Sequence, residues 1–204
     1  MLEYLFPLAL TCLIVSGTPG PNNIMLTASG KNFGFLKTIP HALGIVIGVQ
    51  LLIIFLSLGL IAVFNEYPFI QEILKFIGSC YLLYLAYRIY KSDLSDDKNI
   101  SKPITFIESL LFQFVNPKGV MMAISIISIY SNYENFTFIS SYIAGVILIL
   151  LSCLITNLIS VISWTLIGIF LENFIKSSAA IKKFNLFMSG LLVLTIGLIY
   201  LDIN

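Results

Sequence analysis

The sequence predicts an all-α, polytopic membrane protein of six transmembrane helices. Hydrophobic residues make up 58% of its 204 residues and charged residues only 10%, whereas a soluble domain carries about 25% charged residues. Long apolar runs alternate with short polar gaps, and the basic residues fall in every second gap. The composition therefore excludes a protein whose whole surface faces water, and a net charge of +1 indicates no nucleic-acid partner.

Six apolar runs define the predicted spans. They cover residues 4–28, 40–64, 68–90, 104–130, 138–170 and 185–202. At roughly 1.5 Å per residue, each helix would cross a hydrocarbon core about 30 Å thick, the last only just. The runs are too long and too uniformly apolar for the alternating strands of a barrel. The fifth run could reach about 50 Å and hold two spans, but it contains no proline or charged residue at which to turn, so we predict one long helix.

The distribution of basic residues predicts the orientation. The first, third and fifth gaps carry most of the basic residues, namely Lys31, Lys37, Arg88, Lys91, Lys98, Lys102, Lys176, Lys182 and Lys183. The other gaps and the ends carry acidic residues, namely Glu3, Glu66, Glu134 and Asp202. Because basic loops stay in the cytoplasm, both termini are predicted to lie outside the plasma membrane. Only two lysines, Lys75 and Lys118, lie inside apolar runs.

Two interruptions break the predicted first and fourth helices near mid-membrane. Residues 16–23 read Ser-Gly-Thr-Pro-Gly-Pro-Asn-Asn, and residues 112–119 read Phe-Gln-Phe-Val-Asn-Pro-Lys-Gly. Proline removes a backbone donor and clashes with the preceding turn, and glycine lowers the cost of unwinding. Asn116 followed by Pro117 is typical of an N-cap and the first residue of a new half-helix. In the first break, Asn22 or Asn23 is the candidate for the corresponding cap.

Breaks in corresponding helices predict an inverted repeat with a binding site between its halves. Residues 1–92 and 103–204 would each form a three-helix repeat, joined by a cytoplasmic linker at 93–102 within one membrane domain. Half-helix N-termini that meet mid-membrane favour an anionic group such as a carboxylate. The candidate substrate-binding residues are Gly17, Pro19, Gly20, Pro21, Asn22, Asn23, Asn116, Pro117 and Lys118. The alternative is that both motifs are simple kinks, since proline is common in membrane helices.

Polar side chains inside the spans are the remaining candidates. Lys118 needs a partner, because a lysine at the centre of a membrane costs roughly 2.5–3.5 kcal/mol. A substrate carboxylate and the freed carbonyls of the broken first span are alternative partners. Lys75, Glu108, Gln113 and Asn157 are candidates for the pore or for ion coupling. The structural alternatives are snorkelling for Lys75, an interfacial charge for Glu108 and helix-to-helix bonding for Asn157.

The sequence offers no recognisable metal or cofactor site. Cys12, Cys80 and Cys153 lie singly in separate spans, without ligand or disulfide spacing, and are expected to be small packing residues. A heavy-metal exporter of related architecture would need clustered ligands, and His41 is the only histidine. A membrane-embedded enzyme would need a converging nucleophile and base. These functions and that of a structural subunit stay alternatives, but we expect no cofactor and no enzymatic activity.

Three stretches of the chain together match one known pattern. They are Gly-Thr-Pro-Gly-Pro-Asn at 17–22, Leu-Lys-Phe-Ile-Gly-Ser-Cys-Tyr-Leu-Leu-Tyr-Leu at 74–85, and Asn-Pro-Lys at 116–118. In this order and at these intervals they resemble the LysE/RhtB family of amino-acid exporters. The resemblance runs over the whole chain, including six spans and a repeat of three plus three. It implies efflux of amino acids or their derivatives, driven by an ion gradient rather than by ATP.

The expected partners follow from this interpretation. They are an amino-acid-like solute, the lipid bilayer and a coupling ion that the residues do not identify, and a homodimer is possible. The sequence shows no buried acidic pair to receive a cationic side chain, since Glu72 and Glu108 lie near the predicted interfaces. A neutral substrate is therefore favoured.

Overall fold

The computed structural model describes residues 2–91, 102–131, 141–175 and 177–201. In chain order they form α1 (Leu2–Gly17), α2 (Pro21–Phe55), a π-helical turn (Leu56–Leu60), α3 (Ile61–Glu66), α4 (Pro68–Lys91), α5 (Phe106–Val115), α6 (Pro117–Tyr130), α7 (Ser141–Glu172) and α8 (Ser178–Leu201). Every element in these ranges is helical, which confirms the all-α prediction. The predicted linker at 93–102 lies outside the described residues except for Lys102, as do Lys98, Glu134, Lys176 and Asp202.

Several of these helices can cross a membrane. Four are long and apolar enough: Pro21–Glu66, Pro68–Lys91, Ser141–Glu172 and Ser178–Tyr200. The bent pair of α5 and α6, whose axes meet at 64°, is a fifth candidate, and α1 is apolar but shorter. The described residues thus carry four or five candidate spans where the sequence predicts six. Ser141–Glu172 is a single helix, which confirms that the fifth apolar run does not divide into two.

The predicted and observed numbers of candidate spans differ because of the region between the first two predicted spans. No loop separates the two runs. α2 covers the end of the first run and most of the second, but its backbone departs from helical geometry at Gly34 (φ 77°), where two helical segments meet. This left-handed backbone conformation favours glycine. Ser29 and Thr38 are nine residues apart, which is roughly 13 Å along a straight helix, yet their hydroxyl oxygens lie 2.9 Å from each other. Segments 21–33 and 35–55 therefore fold back on each other at Gly34, and Pro21–Glu66 counts as one candidate span only by its continuous length.

Both predicted helix breaks are confirmed. α1 ends at Gly17 and α2 begins at Pro21, and the backbone of Gly20 between them is extended (φ −173°, ψ 179°). Asn116, which separates α5 from α6, is also extended (φ −80°, ψ 102°). Each break therefore exposes the N-terminus of a new half-helix.

Small residues bring the long helices into close contact. α2 packs along α7 and against α5, and α4 packs along α8. A Cβ on Gly168 of α7 would meet the carbonyl oxygen of Thr27 in α2 and lie 2.9 Å from the amide nitrogen of Lys31. Gly44 and Gly48 of α2 approach α5 just as closely, as their small-xxx-small spacing predicts.

We expect Gly168→Ala to destabilise the protein, because the added methyl group meets backbone atoms of α2 that cannot move aside. Overpacking of this kind costs about 1–3 kcal/mol. Gly190→Ala is the matched control, because a Cβ at Gly190 has no neighbour within 4 Å and alanine raises helix propensity by up to ~1 kcal/mol. Thermal unfolding in detergent should show a lower midpoint for Gly168→Ala alone. Equal midpoints would contradict the close contact between α2 and α7.

Candidate functional site

The two helix breaks line one cavity between α1, α2, α6 and α7. Its volume is about 90 Å³. Most of the predicted site residues line it, namely Gly20, Pro21, Asn22, Asn23, Gln113, Asn116, Lys118 and Asn157. The other predicted residues, Gly17, Pro19, Pro117, Lys75 and Glu108, are not among the residues that line it. Two motifs that lie far apart in the sequence thus form one site.

Each break starts a half-helix in the same way. Gly20 is the N-cap of α2 and Asn116 is the N-cap of α6, each followed by proline, and neither N-cap makes a side-chain capping bond. The first N–H groups of a helix have no intrahelical acceptor and carry its positive end. The N-cap assignment of Asn116 is confirmed, but the prediction that Asn22 or Asn23 caps the other half-helix is wrong. Because the helix starts at Pro21, both asparagines lie inside its first turn and bond elsewhere.

Asn23 instead bonds the carbonyl groups left free at the end of α1. Its Nδ2 donates to the carbonyl oxygens of Ser16 and Thr18, both at 2.8 Å. The hydroxyl of Ser160 in α7 also donates to the Ser16 carbonyl, at 2.6 Å. These bonds hold the broken end of α1 against α2 and α7.

The ammonium group of Lys118 donates hydrogen bonds to residues of the first helix break. Its Nζ donates to the carbonyl of Thr18 at 3.0 Å, the hydroxyl of Thr18 at 2.9 Å and the carbonyl of Pro19 at 3.1 Å. A Cβ on Gly20 would lie 2.8 Å from Cδ and Nζ of this lysine. A side chain at position 20 would therefore displace the end of Lys118, whereas the extended backbone itself does not require glycine. Of the two partners predicted for Lys118, the structure shows the freed carbonyls of the broken first span. Binding of a substrate carboxylate by Lys118 stays a prediction.

A pair of side-chain amides connects the first break to α5. Asn22 Nδ2 donates to Gln113 Oε1 at 2.8 Å, and Gln113 Nε2 donates to Asn22 Oδ1 at 3.2 Å. Gln113 Nε2 also donates to the carbonyl of Ser109 at 2.8 Å. Gln113 is fully buried, and its donors and acceptor are occupied, so it acts in this arrangement as a link between helices.

Asn116 presents a free acceptor at the second break. Its side chain is 2% exposed and lines the cavity. Its Oδ1 is buried without a hydrogen-bond partner. Because a buried polar atom is normally bonded, an unpartnered one in a cavity wall indicates a place for a ligand donor.

A second and larger cavity lies beside the first. It measures about 560 Å³, and Pro19, Pro117 and Lys75 line it. Gly20 and Lys118 line both cavities. Lys75 is buried there, with its Nζ 4.1 Å from the centre of the Tyr200 ring and 4.0 Å from the carboxylate of Glu72.

Glu108 lies away from both cavities, in contacts that fix the start of α5. Its carboxylate accepts a hydrogen bond from Arg88 at 2.9 Å. It also forms a capping box with Thr105, whose backbone N–H donates to Glu108 Oε2 at 2.7 Å. These contacts are those of a structural carboxylate, and a part in ion coupling stays a prediction.

Two cysteines belong to the site although the sequence gave no sign of it. Cys12 and Cys153 line the small cavity, and their Sγ atoms lie 3.1 Å apart. Both are buried in the core, as expected of small packing residues, but the sequence did not predict that they touch each other. They come from different spans, so no spacing along the chain could show the contact, which depends on the register of α1 against α7.

The chain is similar to one family of known proteins. The family model described as LysE type translocator matches residues 13–201. The relatives include the cysteine/O-acetylserine efflux proteins of Salmonella paratyphi A, 35% identical over 119 residues, and of Escherichia coli strain K12, 33% identical over 119 residues. In both, the match covers 57% of this chain and 60% of the relative. No solved structure gives a significant match.

We expect Lys118→Met to lower stability, because it removes the charged donor that holds the first break. Asn23 still serves the Thr18 carbonyl, so the main loss is the bond to the exposed Pro19 carbonyl, which contributes about 0.5–1.5 kcal/mol. Lys37→Met is the matched control, because Lys37 is exposed. Membrane abundance and the thermal midpoint in detergent should fall for Lys118→Met and stay constant for the control. An unchanged midpoint for Lys118→Met would show that these bonds contribute nothing to the fold.

Proposed function

Because the chain belongs to the LysE type translocator family, we propose that it exports a small, neutral amino acid or amino-acid derivative across the plasma membrane. One observation carries the proposal. Two half-helix N-termini and the unpartnered Oδ1 of Asn116 line a single cavity of about 90 Å³. At ~10–15 Å³ for each water-sized group, the cavity has room for a small solute and not for a peptide. The activity is transport and involves no chemical step.

The N-terminal ends of α2 and α6 are proposed to bind the carboxylate of the substrate. Their first N–H groups are uncapped by side chains, and helix N-termini attract anions through the dipole and through direct hydrogen bonds. Lys118 adds a positive charge to the same wall of the cavity. An amino-acid carboxylate is the anion that we propose for this wall of the cavity.

Asn116 is proposed to bind the ammonium group. An amide oxygen accepts hydrogen bonds, and an ammonium group has donors to give and no acceptor. The rest of the lining favours an uncharged side chain, since it includes Val15, Val49, Ile53 and Ile126 and, among the described residues, no acidic side chain. The relatives named for efflux of cysteine and O-acetylserine support a substrate of this size and charge.

The larger cavity is proposed as the exit route. In the predicted orientation, its residues Glu72 and Lys75 lie toward the outside, and Lys118 stands between this cavity and the small one. A carboxylate makes a stronger, charge-assisted hydrogen bond to an ammonium group than a neutral carbonyl does. A bound substrate would therefore draw Lys118 away from Thr18 and Pro19 and open the way between the cavities. An ion gradient is proposed to drive the cycle, in keeping with the family resemblance.

Six spans in an inverted repeat remain the proposed architecture. The first span would combine α1 with segment 21–33, and the second would start after Gly34. Residues 71–84 of α4 and 181–194 of α8 have the same order of buried, half-buried and exposed positions, in which Lys75 corresponds to Asn185 and Leu82 to Leu192. The uncapped starts of α2 and α6 are a second correspondence. Both support repeats at 1–92 and 103–204.

We expect Asn116→Leu to reduce export strongly while leaving the protein stable. Leucine has a similar shape and removes Oδ1, which has no partner to lose within the protein, so the stability cost should be small. The loss of one hydrogen bond to a charged group should weaken substrate binding by about 1.5–3 kcal/mol, or roughly 10- to 150-fold. Amino acids in the growth medium, measured by mass spectrometry for cells with and without the protein, report export.

Asn65→Leu is the matched control, because Asn65 is exposed in α3. It should export as the parent does. Normal export by a stably inserted Asn116→Leu variant would remove Asn116 from the site, and no difference between cells with and without the parent protein would overturn the proposed function.

Both termini are expected to lie outside the cell. Tags at residues 1 and 204 should react with an impermeant reagent on intact cells, whereas a label at Lys98 should stay protected until the membrane is opened. A C-terminus that reacts only in opened cells would overturn the arrangement of six spans.

A further inference from the structure

Two thiol groups meet in the wall of the small cavity. Cys12 of α1 and Cys153 of α7 are both buried and both free, with their Sγ atoms 3.1 Å apart. A disulfide bond is ~2.05 Å long, so an approach of about 1 Å would join them. The third cysteine, Cys80, is exposed on α4 and takes no part in this contact.

We propose that Cys12 and Cys153 form a reversible disulfide that locks the transporter. The formation of this disulfide depends only on the contact between the two thiols. Its effect on transport rests on the proposed function.

The chemistry needs a small two-electron oxidant, and a peroxide has the required size. One cysteine thiolate attacks the O–O bond of hydrogen peroxide, which gives a sulfenic acid and a hydroxide ion that takes up the thiol proton as water. The second thiol attacks the sulfenic sulfur, the S–S bond forms, and a second water molecule leaves. In total, two thiols and one hydrogen peroxide give one disulfide and two waters.

The cavity supports both steps. It has a volume of about 90 Å³ next to the two sulfur atoms, which is enough for several water-sized molecules at ~10–15 Å³ each. The second step needs almost no movement, because the partner thiol is already in contact.

The disulfide would join two parts of the protein that export must separate. α1 ends at the first helix break, and α7 lies in the second proposed repeat. Alternating access requires one repeat to move against the other around the substrate site. A covalent bond between α1 and α7 in the wall of that site would hold one arrangement, and thiol reductants would release it.

The disulfide is tested on the purified full-length protein. After treatment with hydrogen peroxide, the protein is denatured, alkylated and digested, and the peptides are identified by mass. The expected result is a linked pair of peptides that contain Cys12 and Cys153, alkylated Cys80, and loss of the link with dithiothreitol. Cys80→Ala should give the same link and Cys12→Ala should not. An unlinked pair in the peroxide-treated parent protein would overturn the proposal.

The lock is tested by measuring the export rate before and after treatment with hydrogen peroxide. Each variant is compared with its own untreated rate. The parent and Cys80→Ala should lose at least tenfold in rate and recover with dithiothreitol, whereas Cys12→Ala and Cys153→Ala should lose nothing. A linked protein that exports at the untreated rate would overturn the lock. If the reduced parent protein exports no amino acid, both the proposed function and the lock are wrong. The linked peptides would still show whether the disulfide forms.

Discussion

The backbone carbonyl groups at the end of α1 need hydrogen-bond donors, and the arrangement of the site depends on how they are supplied. The last carbonyl groups of a helix that ends at a break have no intrahelical partners. The donors come from three other helices: Asn23 of α2, Ser160 and Trp164 of α7, and Lys118 of α6. The bonds that stabilise the break thus also bring together the walls of the cavity.

The two breaks resemble each other in sequence but differ in how far their polar groups are occupied. At the first break, Asn22 and Asn23 are both bonded to other parts of the protein. At the second, the oxygen of Asn116 has no partner. The first break therefore supplies rigidity, and the second keeps an unused acceptor in a site that the first break holds in place. This division of roles leaves one unpaired acceptor in the cavity for the proposed substrate.

The sequence predicted both breaks and eight of the residues that line the cavity, because proline and glycine act locally and their effect on a helix needs no tertiary information. The N-cap of α6 was predictable for the same reason. The partners of Asn22 and Asn23 were not, since they depend on where α5 and the end of α1 lie in space. The contact between Cys12 and Cys153 depends in turn on the rotation of α1 and α7 about their axes. The sequence placed the division between the first two spans near Lys31 and Lys37, where the chain turns back at Gly34. Polar residues alone could not show that a single glycine makes this turn without a loop.

That bend at Gly34 has a mechanical consequence. A Cβ at this position would have open space around it, so the glycine serves the left-handed backbone angle rather than close packing. Segment 21–33 carries Asn22 and Asn23 at its cavity end and meets segment 35–55 at its other end through this single residue. No loop separates the two helical segments, so a displacement at the cavity cannot be absorbed between them. Because segment 21–33 also packs against segment 35–55, with Leu26 against Ile45 and Val46, such a displacement must either rotate about Gly34 or move both segments together. A substrate that shifts the first segment would therefore act directly on the helix that packs against both α5 and α7.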